Sequence, residues 1–349
     1  MPEIPVFRRI GRPVAALGLV AVSSLALAAC ASATEGEPAA ADSAEAPETL
    51  TYTWDRNTAT EEGADPVFEE TTVEVPVDPQ KIVVFDMAAL DTIGALGGEV
   101  AGAPLDSVPD YLKDSLAGDA FNAGTLFEAD LIEIEAQQPD LIIVGGRSSA
   151  LWEDLNEIAP TIDLSMRDGF LATLEHNTTF LGEVLGAQEE AEAALEELEA
   201  GIGEAQAAVS DAGGTGLGVM VSGGELSALA PSDGSGDTRG ARGGLIYDVF
   251  GVEPVVEDVK AATHGEPISF EFLLEHNPEW LWVVDRDAAI GTEGAQAAEA
   301  VLDNEIVNQT TAATEDHIVY LDATAWYIVF GGVETTQRMI DDVLQVAGR

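Results

Sequence analysis

The residues best placed to do chemistry in this 349-residue chain are two arginines at matching places in a repeated unit. The run from Gln138 to Arg147, QPDLIIVGGR, aligns with the run from Asn277 to Arg286, NPEWLWVVDR. In each copy a proline ends a helix, an acidic residue follows and apolar residues make a strand. Arginine then stands eight residues after the proline. Each copy thus presents a permanently charged guanidinium at the carboxyl end of a strand, where open α/β sheets bind ligands. A salt bridge to a nearby acid is the plain alternative for either one. Other chemistries lack their parts. No glycine-rich phosphate loop, Gly-x-Ser-x-Gly elbow or His-Glu-x-x-His pair occurs. Four histidines (176, 264, 276 and 317) are little material for a triad or a metal cage. His264 stands apart in a glycine-flanked loop, AATHGEPIS, whereas His276 and His317 read as solvated or capping residues and His176 as surface. Tyr327, in ATAWYIVFGG, follows a strand end, where an aromatic is most often core.

The elements that must position these residues read as α/β throughout. Residues 51–55 and 71–77 alternate polar and apolar, as an edge hairpin does. KIVVF at 81–85 predicts a buried parallel strand, and residues 86–96 a helix stopped by Gly97-Gly98. Further strands are expected at 100–103, 141–144 and 161–164, with helices at 131–137 and 151–158. This β-α-β-α order implies a parallel sheet with helices on both faces. Residues 168–212 contain little Gly or Pro and much Ala, Glu and Leu. They predict one long helix, with a possible break at Leu185-Gly186, acting as a rigid link between lobes. Beyond Gly213-Gly214 the alternation restarts, with strands at 217–222, 226–230, 280–284 and 318–321. Helices are expected at 243–250, 270–276, 296–302 and 334–346. The expectation is two Rossmann-like α/β lobes, 50–167 and 213–349, joined by a single long helix, with a ligand cleft between them.

The N-terminus speaks to location. Arg8, Arg9 and Arg12 precede an apolar stretch at 14–29 that is short for a membrane span. Leu27-Ala28-Ala29-Cys30 looks like a lipoprotein cleavage site, and Cys30 is the chain's only cysteine. Residues 1–29 are therefore expected to be a signal peptide and Cys30 the lipidated end of the mature protein. Residues 30–49, rich in Ala, Glu, Ser and Pro, read as a disordered acidic tether. The net charge of −50 argues against nucleic acid and anionic membrane surfaces as partners. With so few basic residues in an acidic chain, arginines at strand ends are not surface decoration.

Several stretches together carry a family resemblance: KIVVFDMAALDTIGALG, the PDLIIVGGR unit, TRGARGGLIYDVFG, THGEPISFEFLLEHNPEWLWVVDRD and LDATAWYIVFGGVET. The chain from about residue 50 resembles the siderophore-binding lipoproteins of bacterial iron ABC transporters, in the branch that takes catecholate and petrobactin-type ligands. The resemblance implies a class III periplasmic-binding-protein-like fold and a monomer that is not an enzyme. It implies no intrinsic cofactor, iron(III) arriving as a ferric siderophore, and delivery to an ABC permease. It also implies three cleft arginines, matching Arg147, Arg242 and Arg286. Arg239 lies close enough to rival Arg242, and the GARGGLIYD context favours Arg242. Guanidinium forks suit the oxygens of a ferric catecholate and can sit over its rings. By the same resemblance His264 and Tyr327 complete the iron shell of a four-donor siderophore, although AWYIVFGG is apolar for a metal's surroundings. The rival readings are a haem- or cobalamin-binding protein of the same fold, a two-lobed surface enzyme, and a structural wall spacer.

Overall fold

The computed structural model describes residues 48–58, 67–231 and 241–348, apart from the side chains of 241–243 and those beyond 346. Residues from Ala46 onward form one compact unit. The expected signal peptide, Cys30 and nearly all of the tether lie outside the described residues.

Strands β1 (Thr49–Asn57) and β2 (Phe68–Pro76) pair antiparallel in register, Thr49 opposite Pro76 and Asn57 opposite Phe68. The expected tether of 30–49 therefore ends just before Thr49, which already belongs to β1. Alternation along β1 buries Tyr52 and Trp54, and the Trp54 ring meets Trp152 edge-on at 5.8 Å. The first sheet has five strands in the order β5-β4-β3-β6-β7. These are β3 (Ile82–Val84), β4 (Val100–Ala103), β5 (Leu116–Asn122), β6 (Leu141–Val144) and β7 (Thr161–Asp163). All pairs are parallel. Its helices are α1 (Met87–Ala95), α2 (Leu131–Gln137) and α3 (Trp152–Asn156). Alternate strand residues feed two cores: Ile82, Val84, Leu141 and Ile143 one face, Val83, Phe85, Ile142 and Val144 the other.

The segment expected as one linking helix is two. Helix α4 (Phe170–Leu185) stops at Gly186, whose φ of +68° provides a left-handed cap, and α5 (Gln188–Ala212) follows. Helix α5 is the link. Ala191 packs into the first lobe's core, while Leu198, Ile202 and Ala205 pack into the second's. Its 25 residues run about 37 Å.

The second sheet follows the first only in part. Strand β8 (Thr215–Ser222) turns back through Gly223 (φ +60°) and Gly224 (φ +80°) into antiparallel β9 (Glu225–Ala228), the tight turn that paired left-handed residues favour. After α6 (Ala241–Asp248) come β10 (Glu253–Pro254), parallel to β8, and β11 (Glu266–Ile268), antiparallel to β9. Helix α7 (Phe270–His276) leads to β12 (Trp280–Asp285), parallel to β8 and to β13 (Ile318–Tyr320). The sheet is mixed where the alternation predicts a copy of the first. The short helices α8 (Arg286–Ala289), α9 (Ala298–Leu302) and α10 (Thr311–Thr314) intervene, and α11 (Val333–Leu344) closes the lobe against α5.

The repeated unit has one local cause in both lobes. Helix α2 is capped by the Asp130 side chain and ends at Gln138 (φ 53°). Helix α7 is capped by Ser269 and ends at Asn277 (φ 44°). Each left-handed residue precedes a proline, which disfavours further α-helix and sends the chain straight into β6 or β12.

Candidate functional site

In the first sheet the chain leaves β3 for strands on one side and returns to β6 on the other, so the switch lies between these neighbours. In the second it lies between β8 and β12. Helix dipoles and free loop backbone meet at such points, outside the carboxyl ends of the strands. Arg147 follows β6 and Arg286 follows β12. The repeat places both arginines at the switch of their own lobe.

The turn after β6 is closely built. A Cβ on Gly145 would fall 2.1 Å from Asp86 Oδ2, so a larger residue there would have to displace the side chain that caps α1. Gly145 N donates to Ser148 Oγ at 3.0 Å and Gly146 N to Ser165 Oγ at 2.8 Å. These bonds aim Arg147 across to the other lobe. There its Nη1 donates to Ile328 O and its Nη2 to Tyr327 O, both at 2.9 Å. Burial pushes the Arg147 guanidinium below its usual pKa, opposed by the nearby Tyr327 and Asp86. Asp86 caps α1 by accepting from Ala89 N at 2.9 Å, and desolvation raises its carboxyl to about 6.

From the second lobe, Arg286 Nε donates to Tyr327 Oη at 2.8 Å and Nη1 to Ser222 Oγ, at the end of β8, at 3.1 Å. The guanidinium carbons of Arg286 and Arg147 stand 5.5 and 5.9 Å from the Tyr327 ring centre. The exposed His264 ring lies 6.1 Å from the same ring. Neither arginine makes an ion pair with a carboxylate of the described residues. Three of the five expected cleft residues, Arg147, Arg286 and His264, therefore gather around a fourth, Tyr327. Arg242 lies in α6, but its side chain, like all of Arg239, falls outside the described residues. Of the other histidines, His276 Nδ1 lies 3.0 Å from Phe272 O at the end of α7, and His317 stacks on Trp280 at 4.0 Å. His176 is exposed on α4.

Tyr327 owes its position to a π-helical turn, Thr324–Val329, a feature common at functional sites. Asp322 Oδ1 caps it, accepting from Thr324 N at 2.9 Å and Ala325 N at 3.1 Å. Asp342 Oδ2 accepts from Asp322 N at 2.6 Å and Trp326 Nε1 at 2.9 Å, and desolvation raises this carboxyl to about 6. The wide turn resolves the puzzle of AWYIVFGG. Trp326 faces Phe250 in the core, while Tyr327, itself only 5% exposed, turns its hydroxyl to Arg286.

The chain then passes Phe330 (φ 55°), Gly331 and Gly332 (φ 84°) into α11. The start of α11 is capped from the other lobe by Asp91 of α1. Its carboxylate accepts from Glu334 N and Thr335 N at 2.8 Å and from Thr335 Oγ1 at 2.6 Å. Asp91 is 1% exposed, and desolvation raises its carboxyl to about 6. Asp86, Ser222 and Asp91 are contributors that the sequence reading does not single out. A helix-capping signal marks Asp86, but no local pattern marks a contact between residues 91 and 335.

Between the lobes lies a cavity of about 430 Å³, within the usual range for small organic ligands. Arg147 lines it, together with Asp86 and Thr263, whereas Arg286, Tyr327 and His264 sit beside it. Among the described residues no three of His, Cys, Asp and Glu converge as a metal cage. No helix among them is long and apolar enough to cross a membrane. The geometry suits capture of an anionic molecule between lobes.

Comparison with known proteins agrees with this architecture. A profile of the periplasmic binding protein family matches residues 82–325. The crystal structure of a TroA-like periplasmic binding protein from Xylanimonas cellulosilytica is 81% identical, covers 86% of this chain and 100% of its own, and superposes with a TM-score of 0.84. The petrobactin-binding protein YclQ of Bacillus subtilis (strain 168) is 32% identical over 293 residues, 80% of this chain and 89% of its own. Its crystal structure superposes with a TM-score of 0.73. The periplasmic catecholate-siderophore binding protein VctP from Vibrio cholerae is 32% identical across 84% of this chain and 99% of its own, with a TM-score of 0.70. These relatives are binding proteins, not enzymes. With the profile running through both sheets and relatives above 30% identity over most of its length, the chain belongs to the periplasmic binding protein family.

Proposed function

We propose that this protein captures a ferric siderophore of the catecholate type outside the cytoplasmic membrane and delivers it to an ABC permease. The observation that carries the reading is the convergence of Arg147 and Arg286, one from each lobe, on Tyr327, with His264 beside it. Its relatives YclQ and VctP, named for petrobactin and for catecholate siderophores, support the same ligand class. Arg147 donates here to two neutral carbonyls. Anionic catecholate oxygens are stronger acceptors, and charge-assisted bonds are about twice as strong as neutral ones. A bound chelate would draw both arginines off their internal partners. That exchange frees the Tyr327 hydroxyl to join His264 in completing the shell of a four-donor chelator. Arg242, on the helix after the 232–240 segment, is proposed as the third cation. Cys30 is proposed as the lipid anchor, and replacing it with serine should move the protein from the membrane fraction to the medium.

The test is titration of the compact unit from Ala46 onward with a ferric bis-catecholate and a ferric tris-catecholate, read by tryptophan quenching and the visible charge-transfer band. The expected result is tight binding of the bis-catecholate, with a band that shifts in Tyr327→Phe and in His264→Ala. Failure of both compounds to bind would overturn the reading.

A further inference from the structure

The cavity and the cationic cluster are neighbours of unlike chemistry. Arg286, Tyr327 and His264 gather on the side of the second lobe. The cavity opens instead between the first lobe, α4 and the 328–332 segment. Its walls are more apolar than polar: Met87 at the start of α1, Met166 from the loop after β7, Leu126, Phe170 at the start of α4, and Ile328 and Phe330, with Ser165, Asn177 and Thr263 among them. The rings of Phe170 and Phe330 meet edge-on at 5.8 Å. Among the described residues only Asp86 and Arg147 bring charge to the lining. Arg147 also belongs to the cationic cluster, so it marks the border between the two regions.

A compact chelate with negative charge on every side would lose more hydration against such walls than their few polar side chains return. The two regions fit a ligand with two unlike ends. Taking the ferric-chelate reading above as its basis, we infer that the ligand carries an uncharged, mainly apolar arm beside its anionic iron-chelating head. The head lies at Arg147, Arg286 and Tyr327. The arm lies in the compartment between Phe170, Phe330 and the two methionines. Aromatic walls supply apolar area, and the unbranched methionines adapt to the outline of the arm. The compartment is thereby the part of the cleft that selects among ferric siderophores with the same chelating groups.

Two probes test this on the unit from Ala46 onward: the ferric complex of a plain bis-catecholamide, and the same complex bearing an N-butyl arm. The armed complex is expected to bind at least tenfold more tightly by tryptophan quenching. Phe170→Ala is expected to bring that ratio below about threefold, as is Thr173→Phe, which fills the space from α4 without removing an apolar wall. Ile132→Ser, at an exposed position of α2 away from the cavity, should keep the ratio. Thermal melts report folding, and Thr173→Phe serves if Phe170→Ala fails to fold. Equal affinities for the two probes, or a ratio that survives both variants, would overturn the arm's placement. Binding of neither probe would instead remove the ferric-chelate reading on which this inference rests.

Discussion

Arg147 joins the two lobes through a planar fork, its Nη1 and Nη2 each bonded to a different carbonyl of the same π-helical turn. Lysine offers a single ammonium and cannot reproduce two parallel bonds, either to those carbonyls or to a catecholate. Arg147→Lys should therefore weaken ferric catecholate binding tenfold or more, about 1.4 kcal/mol. Tryptophan-quenching titration measures it, and unchanged affinity would mean that charge alone suffices at this place. Arg147 and Arg286 were legible in the sequence because the repeat marks them twice. The meeting of His264 and Tyr327 had no such marker. It rests on a π-helical turn that splits an apolar run, sending Trp326 to the core and the Tyr327 hydroxyl to Arg286, which no 3.6-residue pattern announces. Ser222 was invisible for a similar reason, since its role comes from standing beside β12 in the sheet.

Helix α11 is the element through which the first lobe holds the π-helical turn of the second. Its first turn carries partial positive charge, and the Asp91 carboxylate of α1 meets it there with three hydrogen bonds. Tyr111, also from the first lobe, hydrogen-bonds Thr335 at 2.7 Å, and Arg338 of α11 lies 4.0 Å over its ring. This close docking needs glycine at 332, where φ is +84° and an added Cβ would stand 2.6 Å from Asp91 Oδ1. Gly332→Ala combines left-handed strain with that clash and should cost about 2–3 kcal/mol, lowering the thermal midpoint by several degrees. A midpoint within one degree of the parent would show that α11 can shift away from α1 freely. The helix–proline–strand units were readable because capping residues, left-handed ends and prolines are local signals. Strands β5 and β11 were not, being edge elements with polar residues and, in β11, a proline that edges tolerate. The break at Gly186 was open to either outcome from sequence, because glycine both interrupts and ends helices.

At the scale of the whole molecule the dominant fact is charge: 64 acidic residues against 14 basic ones. Composition made that plain, but not that three carboxyls, the buried Asp91 and the half-buried Asp86 and Asp342, sit at the junctions of the lobes and the π-helical turn. Desolvation raises each to about 6 from an ordinary value of 3.8. The folded protein therefore holds protons at these places that the unfolded chain releases between those two values. Their contribution to stability is complete below about pH 3.8 and is lost as pH rises through about 6. Acidification also relieves repulsion among the surface carboxylates, which acts in the same direction. The thermal midpoint should therefore climb as pH is lowered from 8 to 5.5, opposite to the behaviour of a protein held by salt-bridged acids. Added salt should raise the midpoint at pH 8, because it screens the surface repulsion but leaves the buried groups alone. Asp91→Asn removes one of the three titrating groups while keeping an acceptor for the start of α11, so its midpoint should change less between the two pH values. Differential scanning calorimetry of parent and variant at both pH values, in low and high salt, separates the two causes. A parent midpoint that falls on acidification would mean that these carboxyls are ionised in the fold and that their hydrogen bonds outweigh burial. An unaltered pH slope in Asp91→Asn would assign the effect to the surface charge instead.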